Sequence, residues 1–192
     1  ALDQASVVLL SGGPGTGKTS TVVEILARAE ARHPGLRIGL AAPTGKAARR
    51  LGEAVMAQRA PLPCSTLHRW LEAGSRGFGR HRQRPLELDL LVIDEMSMLD
   101  LALTQALLEA LPSGCRLLLV GDPAQLPPVG SGAVWHRLQQ PDVRSRFGEG
   151  AVHLERTYRN RGALAQVAHQ LRQGDLAAFA ADLAALPAQA NL

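Results

Sequence analysis

Aromatic side chains are scarce in this chain of 192 residues: Phe, Trp and Tyr make up 3% of it, with two Trp and one Tyr. Its core must be packed from aliphatic residues, and the few large rings are expected inside it. Trp70 and Trp135 therefore read as core residues rather than as platforms for stacked bases. Cysteine is nearly absent too. Cys64 and Cys115 stand far apart, outside any metal-ligand or redox spacing, which leaves packing as their role and points to a reduced, cytoplasmic protein. No apolar run approaches the roughly 18 residues of a membrane helix, and the opening ALDQAS forms neither a basic nor an apolar leader region, so no membrane partner is expected. The chain starts without methionine and ends in an Ala/Leu-rich helical pattern, so we expect a piece of a longer polypeptide. With 46% hydrophobic residues it can bury one substantial core, and a single domain over 1–192 follows. The net charge of +4 mildly favours a polyanionic partner but decides nothing alone.

Glycine, by contrast, is concentrated at one place. Residues 12–19 read GGPGTGKT, after the apolar run Val7-Val8-Leu9-Leu10 and before a helix-like stretch. A glycine loop joining a buried strand to a helix is a phosphate cradle. Glycines at 12, 13, 15 and 17 are expected to permit positive φ and to turn amides inward around phosphate oxygens, where side chains would block the approach. The loop ends at a helix N-terminus, whose partial positive charge favours an anion by about 0.3–1 kcal/mol. Gly13, Pro14, Gly15, Thr16, Gly17, Lys18, Thr19 and Ser20 are thus the candidate nucleotide-binding residues. Lys18 would bring a mobile charge to the β- and γ-phosphates, and the Thr19 hydroxyl would ligate the magnesium that bridges them.

Short apolar runs recur at 7–10, 37–42, 88–93, 116–120 and 151–154, with helical-length segments between them. Nearly continuous apolar runs of this length fit strands covered on both faces, so the expected fold is α/β, a parallel sheet flanked by helices. Helices are expected over 18–32, 45–57, 66–72, 99–111, 133–139 and 162–185, the last divided near Gly174-Asp175. The segment 73–85, AGSRGFGRHRQRP, fits neither class and is dominated by glycine and arginine.

The run ending at Ile93 leads into Asp94-Glu95, which a parallel sheet places at the carboxyl edge beside the phosphate loop. Asp94 is assigned to the metal and Glu95 to the attacking water, because the first residue after the strand sits closest to the loop. An acid pair capping the next helix is the plain alternative. The run 116–120 leads into GDPAQLPPVGSG, where Gln125 offers both a donor and an acceptor to the γ-phosphate or its water.

Six segments now stand in order: GGPGTGKT, APTGKAARRL (42–51), STLHRWL (65–71), VIDEMSMLD (92–100), GDPAQLPPVGSG (121–132) and LERTYRN (154–160). In that order and spacing the chain resembles a superfamily 1 helicase motor, and its DEMSM and APTGKAA wording is similar to the RecD-type branch, the alpha subunit of exonuclease V and its stand-alone relatives. The resemblance implies a P-loop NTPase of RecA-like fold, the first of two motor domains, with ATP and Mg2+ in a cleft completed by the second. It also implies single-stranded DNA and a duplex fork as substrates, movement 5′ to 3′, and nuclease and helicase subunits of an exonuclease V complex as partners.

The same resemblance carries roles onto matching positions. Lys18, Asp94, Glu95 and Gln125 would serve catalysis, and Arg159 would reach the γ-phosphate as an arginine finger, worth about 10³ to 10⁵ in rate. Thr44 and Lys46, then Thr66 and His68, would hold the single-strand backbone, since hydroxyls and cations satisfy phosphates without reading bases. The insert 73–85 matches in position a small hairpin, the pin, that meets the duplex fork, with Arg76, Arg80, Arg82 and Arg84 as its basic flank and a solvated loop as the alternative. Two other readings stay open. One is a non-translocating ATP-binding scaffold that regulates a nuclease complex; the other is an unrelated phosphate-loop kinase or transport ATPase, which leaves PTGKAA and QLPPVG unexplained.

Overall fold

The computed structural model of the chain describes residues 5–156. In chain order its strands are β1 (Val7–Gly12), β2 (Ile38–Ala42), β3 (Cys64–Thr66), β4 (Ala73–Gly74), β5 (Gly77–Phe78), β6 (Leu90–Ile93), β7 (Arg116–Gly121) and β8 (Ala151–Leu154). Helices are α1 (Lys18–Arg32), α2 (Gly45–Met56), α3 (Leu67–Trp70), α4 (Leu101–Ala110), α5 (Val134–Gln139) and α6 (Pro141–Arg144), with 3-10 turns at Met96–Met98 and Ser145–Gly150. Six strands build one sheet in the order β3-β2-β6-β7-β1-β8, every pairing parallel, while β4 and β5 form a separate antiparallel hairpin.

The continuous apolar runs have a simple cause: successive side chains of each strand leave on opposite faces, and both faces are covered. Val8, Leu10, Leu40, Val92, Leu118 and Val120 pack with Val22, Val23 and Leu26 of α1 and Leu51 and Val55 of α2. Their neighbours Leu9, Ala41, Leu91, Ile93, Leu117 and Leu119 pack on the other face with Leu67, Leu71, Leu103, Leu107 and Trp135. The buried positions of each helix fall on one stripe, at 48, 51 and 55 in α2 and at 103, 107 and 110 in α4. Truncating a fully buried member such as Leu26 to Ala costs about 2–5 kcal/mol.

Both tryptophans serve packing. Trp135 is 1% exposed and lies so close over Gly121 that a Cβ there would meet its ring at 2.7 Å. Trp70 is half-buried, and its indole N–H donates to the Leu40 carbonyl at 2.8 Å. Three expectations shift. β3 is a strand not foreseen, α3 is shorter than 66–72, and α4 begins at Leu101 because Asp100 caps it, its carboxylate accepting from Leu103 N at 2.8 Å after the intervening 3-10 turn. The helical segment 162–185 lies outside the described residues.

Candidate functional site

The glycine loop connects β1 to α1, and two of its glycines take the left-handed backbone, Gly15 at φ 74° and Gly17 at φ 84°. Gly12 and Gly13 do not, contrary to expectation; Gly12 is required for space. A Cβ at Gly12 would lie 2.6 Å from Thr16 Oγ1 and 3.0 Å from the Leu154 carbonyl of β8. Buried Thr16 braces the loop, its hydroxyl donating to Gly13 O at 2.8 Å. No side chain caps α1, and the amides of Gly15, Gly17, Lys18, Thr19 and Ser20 make no hydrogen bond among the described residues. A row of open N–H groups at a helix N-terminus is a binding site for an anion. Lys18 Nζ folds onto the loop, donating to Gly12 O at 2.7 Å and Gly13 O at 2.9 Å. Phosphate oxygens would give the same ammonium stronger, charge-assisted bonds.

Parallel pairing opens the carboxyl ends of β1, β6 and β7 on one edge of the sheet. β7 lies between β1 and β6, so the loop carrying Gln125 starts between the glycine loop and the Asp94-Glu95 turn. Burial pushes the Asp94 carboxyl above its ordinary range, and the neighbouring Glu95 charge adds to this; the Glu95 N–H, donating to Oδ1 at 2.9 Å, and the Lys18 ammonium pull the other way. That amide is the one hydrogen bond recorded for the Asp94 carboxylate among the described residues. A desolvated carboxylate with a single neutral donor is the environment a cation improves. Glu95 takes the left-handed backbone at φ 55°, which costs a residue with a Cβ about 1–2 kcal/mol, and it caps nothing. The acid pair is therefore not a helix cap. Gln125 is half-buried, with its Oε1 accepting from the Ser97 hydroxyl at 2.6 Å. Arg159 lies outside the described residues.

Beside the loop, a groove of about 910 Å³ runs along α1 past Ser20, Thr21, Glu24 and Arg28 and is closed by His153 and Leu154 of β8 with Glu155 and Arg156 after it. Its size suits a nucleotide-scale ligand, and it is continuous with Thr16 and Gly17. Behind it, buried Ser11 binds His153 Nδ1 at 2.9 Å and accepts from Arg144 Nη1 at 3.1 Å, tying β8 to β1 under the loop.

The remaining candidates cluster after β2 and β3. Thr44 and Thr66 are N-caps, their hydroxyl oxygens accepting from Ala47 N at 3.2 Å and Arg69 N at 3.3 Å. Each keeps its O–H to donate outward, the group a phosphate needs. Lys46 and His68 are exposed nearby. Sequence reasoning missed Arg49 and Arg69, both exposed, which line a cavity of about 400 Å³ between α2 and β3. The one available signal was spacing, since Arg49 follows Lys46 by a helical turn.

The insert does form a hairpin, with Arg76 at its exposed tip. Two of its arginines are engaged. Arg80 Nε donates to Glu72 at 2.8 Å and Arg84 Nη1 at 2.6 Å, and these partners hold the Glu72 carboxyl below its usual range. Arg76 and Arg82 make no such pair among the described residues.

Over residues 1–131 the sequence matches the family described as the AAA domain. The chain belongs to that family. This AAA domain is 43% identical, over 93% of its length, to an ATP-dependent RecD2 DNA helicase from Deinococcus radiodurans. It is 42% identical, over 96% of its length, to the RecBCD enzyme subunit RecD of Mycolicibacterium smegmatis. It spans 24% and 36% of those two proteins, and the resemblance to RecD-type helicases read from the motifs is borne out. Among solved structures it superimposes on the Pif1 helicase from Candida albicans with a TM-score of 0.59 at 23% identity, covering 89% of this chain and 42% of that one. Bacteroides Pif1 bound to single-stranded DNA gives a TM-score of 0.57 at 22% identity, covering 89% and 43%. These likenesses bear out the fold expected, a RecA-like P-loop NTPase sheet. No helix among the described residues is long and apolar enough to cross a membrane.

Proposed function

We propose that the chain is the first RecA-like motor domain of a DNA helicase, binding and hydrolysing ATP to move along single-stranded DNA and open duplex. One observation carries this reading: a row of open amides, the Lys18 ammonium and the strained Asp94-Glu95 turn belong to loops at one edge of one parallel sheet. Triphosphate would lie on residues 13–20, with base and ribose along the groove beside α1.

The donor set fits magnesium. Thr19 and Asp94 are hard oxygen ligands, and no group of three or more His, Cys, Asp or Glu gathers among the described residues to cage a metal, so phosphate oxygens and water would complete the shell. Bound there, magnesium would neutralise charge on the β- and γ-phosphates. Lys18 leaves the Gly12 and Gly13 carbonyls for the phosphates and holds the γ-phosphoryl in line. Glu95 orients water, its carboxylate making no capping bond to the 3-10 turn that follows. Gln125 contacts the γ-phosphate, and Arg159 would relieve charge there as an arginine finger. The strand would run across Thr44, Lys46, Thr66 and His68, with Arg49 and Arg69 added, toward a hairpin whose Arg76 and Arg82 make no ion pair among the described residues. A second RecA-like domain of the same polypeptide would close the cleft and convert turnover into steps, 5′ to 3′ by resemblance. Subunits of an exonuclease V complex are the candidate protein partners.

The test is ATP turnover by the full polypeptide with and without single-stranded DNA. DNA should stimulate turnover, and Lys18→Ala should abolish it. Turnover indifferent to DNA would refute the motor and favour a regulatory scaffold.

A further inference from the structure

Gln125 is gripped from two sides by residues outside its own loop. On one side Ser97, fully buried in the 3-10 turn after β6, donates its hydroxyl to Gln125 Oε1 at 2.6 Å. On the other, His136 Nε2 of α5 lies 3.0 Å from the Gln125 carbonyl oxygen. A carbonyl only accepts, so that ring nitrogen carries the hydrogen. Leu126 and Val129 just beyond are exposed, and the loop is next tied down at Ser131, whose carbonyl accepts from Leu101 N at 3.0 Å, so these two bonds, with Gln125 N donating to Asp122 O at 3.4 Å, set where Gln125 sits.

Building on the reading that Gln125 serves the triphosphate, we propose that Ser97 and His136 are positioning residues that hold Gln125 in place, with the NH2 of its amide turned toward the phosphates. A glutamine amide can turn over and present either its oxygen or its NH2. An anion accepts hydrogen bonds and repels an amide oxygen. With Oε1 occupied by Ser97, the NH2 is the end left to offer, and no hydrogen bond to it is present among the described residues. Gln125 then acts on the γ-phosphate as a donor, and holding the attacking water falls to Glu95 alone. Ser97 also rides on the same turn as Asp94 and Glu95, so the two carboxylates and the amide are coupled across β6 and β7.

The experiment is a double-mutant cycle in the full polypeptide, reading DNA-stimulated ATP turnover for Ser97→Ala, Gln125→Ala and the pair, with ADP affinity alongside. Ser97→Ala should lower kcat roughly three- to tenfold, but less than about twofold when Gln125 is already Ala. Its affinity for ADP, which has no γ-phosphate, should stay within about twofold, whereas general structural damage would weaken ADP binding too. Equal losses in both backgrounds would overturn the clamp while leaving Gln125 in the site. Normal turnover in Gln125→Ala would overturn both. Should Ser97→Ala fail to fold, His136→Ala takes its place in the same cycle, with the same outcomes.

Discussion

Replacing Gly12 with Ala adds one methyl group, and the structure says where it would go. The new Cβ would sit 2.6 Å from Thr16 Oγ1, short by 0.8 Å of the 3.4 Å at which ordinary contact begins. It would also lie 3.0 Å from the Leu154 carbonyl and 3.1 Å from the Leu154 Cβ. Thr16 cannot turn away without breaking its 2.8 Å bond to Gly13 O, and Leu154 is backbone-paired to Gly12 itself. Either the loop or the β1–β8 pairing must yield. Overpacking of this kind costs about 1–3 kcal/mol, which for a domain of this size lowers the melting temperature by about 2–12 °C. The larger effect should be on ligand. A nucleotide at a hundred times its Kd should stabilise the wild-type protein by about 2.7 kcal/mol, and this increment should vanish in the variant because the displaced loop carries the open amides and Lys18 proposed to hold the phosphates. Thermal unfolding followed by circular dichroism, with and without magnesium-ATP, reads both effects. A variant that melts like the wild type and keeps the full nucleotide increment would refute the steric argument.

Three further outcomes are expected. Partial burial raises the folded-state pKa of Asp94, so nucleotide-free stability falls as pH climbs from the ordinary carboxylate range through that raised value. Asp94→Asn should therefore melt above the wild type at pH 7.5 and match it below about pH 4, while losing magnesium-dependent nucleotide stabilisation; equal melting at pH 7.5 would count against it. Arg76→Ala and Arg82→Ala should each reduce the salt slope of single-strand binding by about 0.7, whereas Arg80→Ala and Arg84→Ala should loosen the hairpin, seen as faster proteolysis of 73–85, with a smaller change in slope. Burial pushes the Cys115 thiol up to about 11, so in the folded protein at pH 8 it should react with Ellman's reagent about 100-fold more slowly than in urea.

Much of this fold could be read from residue order because its strands are buried twice over. Val7–Gly12 and Arg116–Gly121 are buried on both alternations, and Lys18–Arg32 has the same bounds in the sequence reading and in the structure, between a left-handed Gly17 and the end of its apolar stripe. β3 escaped notice since three half-buried residues at the end of a sheet carry no such run. The hairpin was legible from its glycines, but the pairing of Arg80 and Arg84 was not, because their partner Glu72 lies just outside the arginine-rich stretch and is itself in a left-handed conformation at φ 52°. Likewise the Ser97 grip on Gln125 joins residues 28 positions apart, a distance over which no local pattern speaks. The open amides of the glycine loop, by contrast, follow from local chemistry alone, and they were the part of the site most visible in the letters.

The left-handed backbone at Glu95 has a consequence for anyone evolving this domain. Gly or Asn fits that conformation more comfortably than Glu, so a selection for heat tolerance alone would drift toward substitutions that relax the turn and discard the carboxylate. Libraries screened for robustness should hold position 95 fixed, or they will enrich sturdy proteins stripped of the group we propose to orient the attacking water.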